Sequence, residues 1–168
     1  MSDAGPLMVA CIPRLRRYAR ALVGDRNAAD DLVQDTFERA WARLATWRRS
    51  ADMRAWLFSI MHNLHVDQRR KPAVATTSMD DEVFEMPVRA MQDDQLELRD
   101  LGAAFAKLPA DQREILLLVV LEDMGYDEVA RTLELPIGTV MSRLSRGRAR
   151  LRALMEGRDQ PVALKVVK

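Results

Sequence analysis

The sequence predicts an all-α protein made of two small helical bundles joined by a flexible acidic linker, the C-terminal bundle containing a helix-turn-helix. Three observations predict it. Apolar residues recur at three- and four-residue spacing along most of the 168 residues, and no segment alternates for long as a half-buried strand does. Glycine and proline number only 7 each, while hydrophobic residues make up 48% and charged residues 30%, the balance of a helix-rich globular chain. Helical spacing is lost once, from Ala73 to about Asp93, over a stretch too long for a loop inside one compact domain.

In chain order, Leu15, Tyr18, Ala19 and Leu22 form the first apolar stripe, which Gly24-Asp25 breaks. A second helix is expected from near Asn27, with Asp30 adding negative charge to its first turn. It continues through Leu32, Val33, Phe37, Ala40, Trp41 and Leu44, and Trp41 reads as a core residue. A third segment, with a fourth as an alternative division, spans about Met53 to Arg70 on Trp56, Leu57, Ile60, Met61 and Leu64. Lys71-Pro72 ends it, because proline disfavours helical geometry at the residue before it. The linker that follows holds Thr76-Thr77-Ser78, the acidic run Asp80-Asp81-Glu82, and Pro87.

Helical spacing returns with Leu98, Leu101, Phe105 and Leu108, and Pro109 marks a fresh start. Ile115 to Leu121 is apolar on every side, as expected of a helix packed all round. After Gly125 come two short helices, Tyr126 to Leu133 and about Ile137 to Met155, separated only by Glu134, Leu135 and Pro136. These limits divide the chain into domains at 1–71 and 94–160, a linker at 72–93 and a tail at 161–168.

The net charge of +1 hides an uneven distribution. Residues 1–71 hold 13 Lys/Arg against 8 Asp/Glu, residues 72–100 hold 2 against 8, and residues 101–168 hold 11 against 9. Basic ends joined by an acidic connector suggest two nucleic-acid-facing regions. The run Ile115 to Leu121 is far too short to cross a bilayer, no signal segment opens the chain, and one cysteine, Cys11, cannot form an internal disulfide. A cytoplasmic protein without membrane insertion is expected. No phosphate loop, nucleophile elbow or metal-ligand cluster appears, so neither catalytic residues nor a cofactor or metal are expected. His62 and His65 stand at i, i+3 with no third ligand nearby, and Cys11 reads as a packing residue.

Two short helices with a three-residue turn form the helix-turn-helix pattern, whose second helix can enter the DNA major groove. Val129, Ala130 and Leu133 face inward from its first helix, and Val140 and Leu144 from its second. The other face of the second helix carries Thr139, Ser142, Arg143 and Arg146. From Leu135 to Met155 there are five arginines and no acid, which suits phosphate neutralisation and guanine-edge recognition better than a mixed, solvated face.

Near the N-terminus, Ala29 to Phe37 places Asp31, Gln34 and Asp35 on one side of a helix, an acidic and amide surface suited to a basic protein partner. Further on, Trp56, Asn63, Arg69 and Arg70 combine an aromatic ring, an amide and basic groups, as capture of single-stranded DNA requires. Trp56 serves a core role equally well, and Asn63 also fits a helix cap.

With these residues in hand, the chain resembles the extracytoplasmic-function sigma factors of bacterial RNA polymerase. The likeness covers about residues 10–71 and 94–155. It rests on Asp30-Asp31-Leu32-Val33-Gln34-Asp35-Thr36-Phe37, then Ala55 to Ile60 with Asn63, Asp67, Arg69 and Arg70, then Leu108-Pro109 with Gln112-Arg113-Glu114, then Tyr126 to Ala130, then Gly138 to Arg148. The resemblance implies that Asp31, Gln34, Asp35 and Phe37 dock on core polymerase. It implies that Trp56 and a loop around Asn63 open the minus-ten element and hold a flipped base, with Arg69 and Arg70 on phosphates. Thr139, Ser142, Arg143 and Arg146 then read the minus-thirty-five element, and the acidic linker threads the polymerase channel. The implied partners are core RNA polymerase, promoter DNA of stress or envelope-response genes and an anti-sigma factor, the chain being a monomer when free of them.

Three positions depart from the family pattern. Met141 stands where lysine is frequent, His62 where a small or basic residue is common, and Gly147 where alanine is usual. Gly147 is expected to cost its helix up to about 1 kcal/mol. Two rival readings use the same residues. A stand-alone repressor leaves the Asp31-Gln34-Asp35 surface without a role, and a sigma-mimicking interaction protein has no use for five arginines on its last helix.

Overall fold

The computed structural model describes residues 3–71 and 94–157, with side chains throughout except at 94–98. The expected linker, 72–93, and tail, 161–168, lie outside the described residues, as does the side chain of Leu98. Within the described residues every regular element is helical: α1 (Ala4–Val23), α2 (Arg26–Ala42), a 3₁₀ turn (Leu44–Thr46), α3 (Met53–Arg70), α4 (Asp94–Ala106), α5 (Ala110–Val120), α6 (Tyr126–Leu133) and α7 (Ile137–Met155).

The first bundle is α1–α3. Helix α1 begins eleven residues before Leu15, where the apolar stripe starts, because its first half carries Pro13 and buries only Met8 and so shows little periodicity. Gly24 ends it at φ +79, and its N–H returns to the Arg20 carbonyl at 3.0 Å. Asp25 then caps α2, its carboxylate accepting from the N–H groups of Asn27 and Ala28. The buried stripe of α2 is Ala29, Leu32, Val33, Thr36 and Ala40. Trp41 stands one residue, about 100°, beyond Ala40 on the wheel and is 66% exposed, which corrects its assignment to the core. Leu44 likewise belongs to the 3₁₀ turn and not to α2. Helix α3 is continuous from the Asp52 cap to Arg70, with no division. Tyr18 and Phe58 meet edge to face at 4.8 Å in the middle of the bundle.

In the second bundle α7 packs against α4, α5 and α6, and α5 also packs on α1 of the first bundle. Ile115 to Leu118 are buried on all sides, but Val120 is 65% exposed, so the all-round apolar character stops two residues before the end of the helix. The turn between α6 and α7 has the expected three residues: Glu134 adopts φ +53, and the Leu135 N–H reaches the Ala130 carbonyl at 2.9 Å. Gly147 is buried against α5. A β-carbon there would sit 3.0 Å from Leu116 Cδ1 and 3.3 Å from Gln112 Cβ, so the glycine allows the close approach of α5 and α7.

The two bundles touch through charged groups. Glu122, fully buried, lies 3.2 Å from Arg17 and 4.0 Å from Arg14, while Arg17 also donates to the Leu121 carbonyl. Burial pushes the Glu122 carboxyl up, against the pull of Arg17. Arg54 of α3 donates to the Glu122 carbonyl and to Glu128 of α6. Arg113 of α5 gathers the carbonyls of Phe105, Ala106, Leu108 and, from the first bundle, Leu22. His62 Nδ1 meets buried Glu114 at 2.6 Å. His65, beside this pair, has a buried Nε2 without a partner.

Two outcomes are expected. Gly147→Ala gains up to about 1 kcal/mol of helix propensity but overpacks Leu116, at a cost of about 1–3 kcal/mol. The net effect is destabilising by about 1 kcal/mol and lowers the thermal midpoint by several degrees; a raised midpoint would show that α5 yields freely. Burial also pushes the His65 imidazole below its ordinary 6.5. The unfolded chain then binds more protons as pH falls through that value, so the stability contributed by neutral His65 is present above it and declines below it. Between about pH 7.5 and 5.5 the wild-type midpoint should fall relative to that of His65→Gln, and parallel profiles for the two proteins contradict this.

Candidate nucleic-acid and partner interfaces

Helix α2 presents Asp31, Gln34 and Asp35 on its exposed side. Glu38 continues the stripe by accepting from Gln34 Nε2 at 2.9 Å, and Gln68 of α3 reaches Asp35 at 3.5 Å. Phe37, three residues after Gln34, is half-buried against the core at the border of this surface. Trp41, seven residues from Gln34 and three from Glu38, does join it. That seven-residue spacing was present in the sequence. The size and apolarity of the indole had argued the other way. Between α2 and the end of α3 lies an open cleft of about 600 Å³, lined by both signs of charge, including Asp35, Glu38, Arg39, Asp67 and Arg70.

Helix α3 carries a second row. Trp56, Asn63 and Arg70 recur at i, i+7 and i+14, each step about 10 Å along the axis and nearly in line. Trp56 is half-buried and packs against the core, while Asn63, Arg69 and Arg70 are exposed. Asn63 lies in the interior of the helix, so the surrounding segment is not a loop and Asn63 caps nothing. Arg69 sits on a different face from this row. His62 and His65 turn toward Glu114 instead, and among the described residues no three His, Cys, Asp or Glu side chains converge as a metal site. Cys11 is half-buried in a hollow with Leu7, Arg14 and Trp47, and burial pushes its thiol up.

The third row is on α7. Thr139, Ser142, Arg143 and Arg146, at i, i+3, i+4 and i+7, share one side of the helix, flanked by buried Val140, Leu144 and Gly147. Ser142 and Arg146 are exposed, Thr139 and Arg143 half-buried. Arg146 is held along its own helix by Ser142, which accepts from Nη2 at 2.9 Å through its hydroxyl and from Nε at 3.3 Å through its carbonyl. Arg143 Nε lies 3.4 Å from Asp111 at the start of α5. Met141 projects at 51% exposure beside this row, an apolar group where a lysine is frequent. No described helix is long and apolar enough to cross a membrane.

Comparison with known proteins matches the two bundles separately and together. Residues 8–62 fit the family described as the Sigma2 domain of PhyR, and residues 98–151 fit Sigma-70, region 4. The chain is 36% identical over 149 residues to the ECF RNA polymerase sigma factor EcfG of Rhodopseudomonas palustris, covering 88% of this chain and 82% of that protein. It is 30% identical over 141 residues to the ECF RNA polymerase sigma factor SigM of Bacillus subtilis, covering 82% and 86%. Among solved structures, the sigma factor RpoE of Bartonella quintana in complex with the anti-sigma factor NepR superposes with a TM-score of 0.75 and 31% identity, covering 93% of this chain and 98% of that one. With both bundles matched in order and a full-length relative above 30% identity, the chain belongs to the extracytoplasmic-function sigma factors of RNA polymerase.

Proposed function

We propose that this chain binds core RNA polymerase in the cytoplasm, directs it to a set of promoters and is restrained by an anti-sigma factor, acting by binding and not by catalysis. The observation that carries the proposal is the α7 row: two hydroxyl and two guanidinium side chains on one face of a region 4 helix that has five arginines and no acid. In this reading residues 1–71 bind polymerase and open the minus-ten element, residues 94–160 recognise the minus-thirty-five element, and residues 72–93 connect them. The α2 stripe of Asp31, Gln34 and Asp35, extended by Trp41, supplies the polymerase contact, with Phe37 supporting it from the core side. Trp56, Asn63 and Arg70 follow the displaced strand, with Arg69 on adjacent phosphate. A sigma-mimicking protein draws support from the N-terminal match alone, and the arginine-bearing α7 counts against it. Run-off transcription by core polymerase on fragmented genomic DNA tests the proposal: specific transcripts dependent on this chain support it, and their absence overturns it.

Two further outcomes follow. Charge reversal at Asp31 and Asp35 should weaken polymerase binding with helix content unchanged. Trp41→Ala should weaken it about tenfold, as loss of an exposed aromatic anchor does. Unaltered affinity in a binding titration would remove α2 from the interface. The α3 and α7 rows should also separate on a template mismatched over the minus-ten region, where the cost of extruding a base, a few kcal/mol, is removed in advance. Asn63→Ala should transcribe weakly from the intact promoter and recover in large part on the mismatched one, whereas Arg143→Ala stays defective on both. Equal Asn63→Ala defects on the two templates would exclude a role in opening.

A further inference from the structure

We propose that Asp111 is a positioning residue for Arg143, setting the guanidinium so that its outer edge meets one guanine of the duplex. This rests on the reading of Arg143 as a minus-thirty-five contact and adds a residue outside the recognition helix to that recognition.

The two oxygens of Asp111 have separate tasks. Oδ1 accepts from the Gln112 N–H at 3.0 Å, which fixes the carboxylate to the first turn of α5. Oδ2 faces Arg143 Nε at 3.4 Å. A carboxylate facing Nε lies on the inner flank of the guanidinium and would leave both Nη groups available on its outer edge. The outer pair of N–H groups is a fork that can donate in parallel to O6 and N7 of guanine. Arg146 differs: its partner is Ser142 of its own helix, so its direction is set by α7 alone. Arg143 takes its direction from α5, and therefore from how closely α5 and α7 pack.

That packing is set by Gly147. The glycine is one turn after Arg143 on α7, and its neighbours on α5 are Gln112 and Leu116, the former adjacent to Asp111. Removing a β-carbon at the crossing brings the start of α5 near enough for a short aspartate to reach the base of a long arginine. The pair is 45% and 30% exposed, so water screens it and its contribution to folding stability is small. Its effect is on freedom: an arginine whose Nε is already paired with a carboxylate loses less on binding than one that must be ordered by DNA. A lone carboxylate near DNA would otherwise repel phosphate.

The test uses polymerase holoenzyme with the full chain and duplex promoters in which each minus-thirty-five base pair is replaced in turn. The measured quantity is the ratio of transcript from the intact element to that from each replaced one. Arg143→Ala should abolish discrimination at one position; if it abolishes none, the reading of Arg143 fails whatever Asp111 does. Given that position, Asp111→Ala should lower discrimination there about three- to tenfold and leave the other ratios unchanged. Asp111→Asn, which can still accept from Nε, should retain most of it. In an Arg143→Ala background, Asp111→Ala should add nothing, since the two residues then act as one unit. The proposal is overturned if Asp111→Ala changes every ratio alike, if it raises binding uniformly by removing phosphate repulsion, or if its effect adds in full to that of Arg143→Ala. Should Asp111→Ala lower the helix content, the same ratios read on Asp111→Ser decide the matter.

Discussion

A carboxylate with no solvent exposure has to be matched by positive charge or by hydrogen-bond donors, and Glu122 is such a group at the junction of the two bundles. Arg17 supplies the match from α1, and Arg54 of α3 joins the same point through the Glu122 backbone and through Glu128. His62 and buried Glu114 add a further polar contact about two turns along α3 from Arg54. Ion pairs of this kind contribute little net stability compared with apolar packing of the same volume, yet each partner is costly to leave alone. They specify one arrangement without cementing it. The apolar core runs through the same junction: Leu57, Phe58 and Met61 of the first bundle and Ile115 to Leu118 of the second belong to one buried cluster. The junction therefore combines apolar packing with charged contacts that fix how the two bundles meet.

The junction also divides α3 into two working faces. Arg54, His62 and His65 turn toward the second bundle, while helical geometry carries Trp56, Asn63 and Arg70 round to the other side. The row able to follow a displaced strand is thus left clear of the contact between bundles. The same continuity gives it reach. From Trp56 to Arg70 the unbroken helix carries the row over about 21 Å without a loop to place it.

Much of this was legible in the sequence where burial imposes a period. The α6–α7 turn was readable to the residue because Leu133 and Val140 must both face inward while Leu135-Pro136 leaves only Glu134 to Pro136 between the helices. Legibility failed where a segment is half-solvated or where a long-range contact decides. The first half of α1 has one buried residue and a proline, so no stripe announces it. Trp41 is large and apolar, and propensity alone puts it inside; its position one residue past Ala40 puts it outside. His62 and Gly147 looked like departures from a family pattern. Their reasons lie 52 residues away at Glu114 and across the bundle at Gln112 and Leu116, separations that periodicity cannot report.

The candidate interfaces differ in how firmly the fold holds them, and the difference matches the substrate each would meet. On α7 the two arginines already have protein partners, Arg146 hydrogen-bonded to Ser142 and Arg143 ion-paired with Asp111. A closed duplex offers its base edges at fixed positions, so a pre-set guanidinium loses little on binding and rejects misplaced acceptors. On α3, Asn63 is exposed on a bare helical surface, while half-buried Trp56 gives the row one fixed end. A displaced strand has no fixed geometry until a base has left the stack, and a tethered amide would be set for a position that does not yet exist. Rigidity on α7 and freedom at Asn63 are therefore opposite answers to one question: whether the partner's shape is present before binding or is made by it.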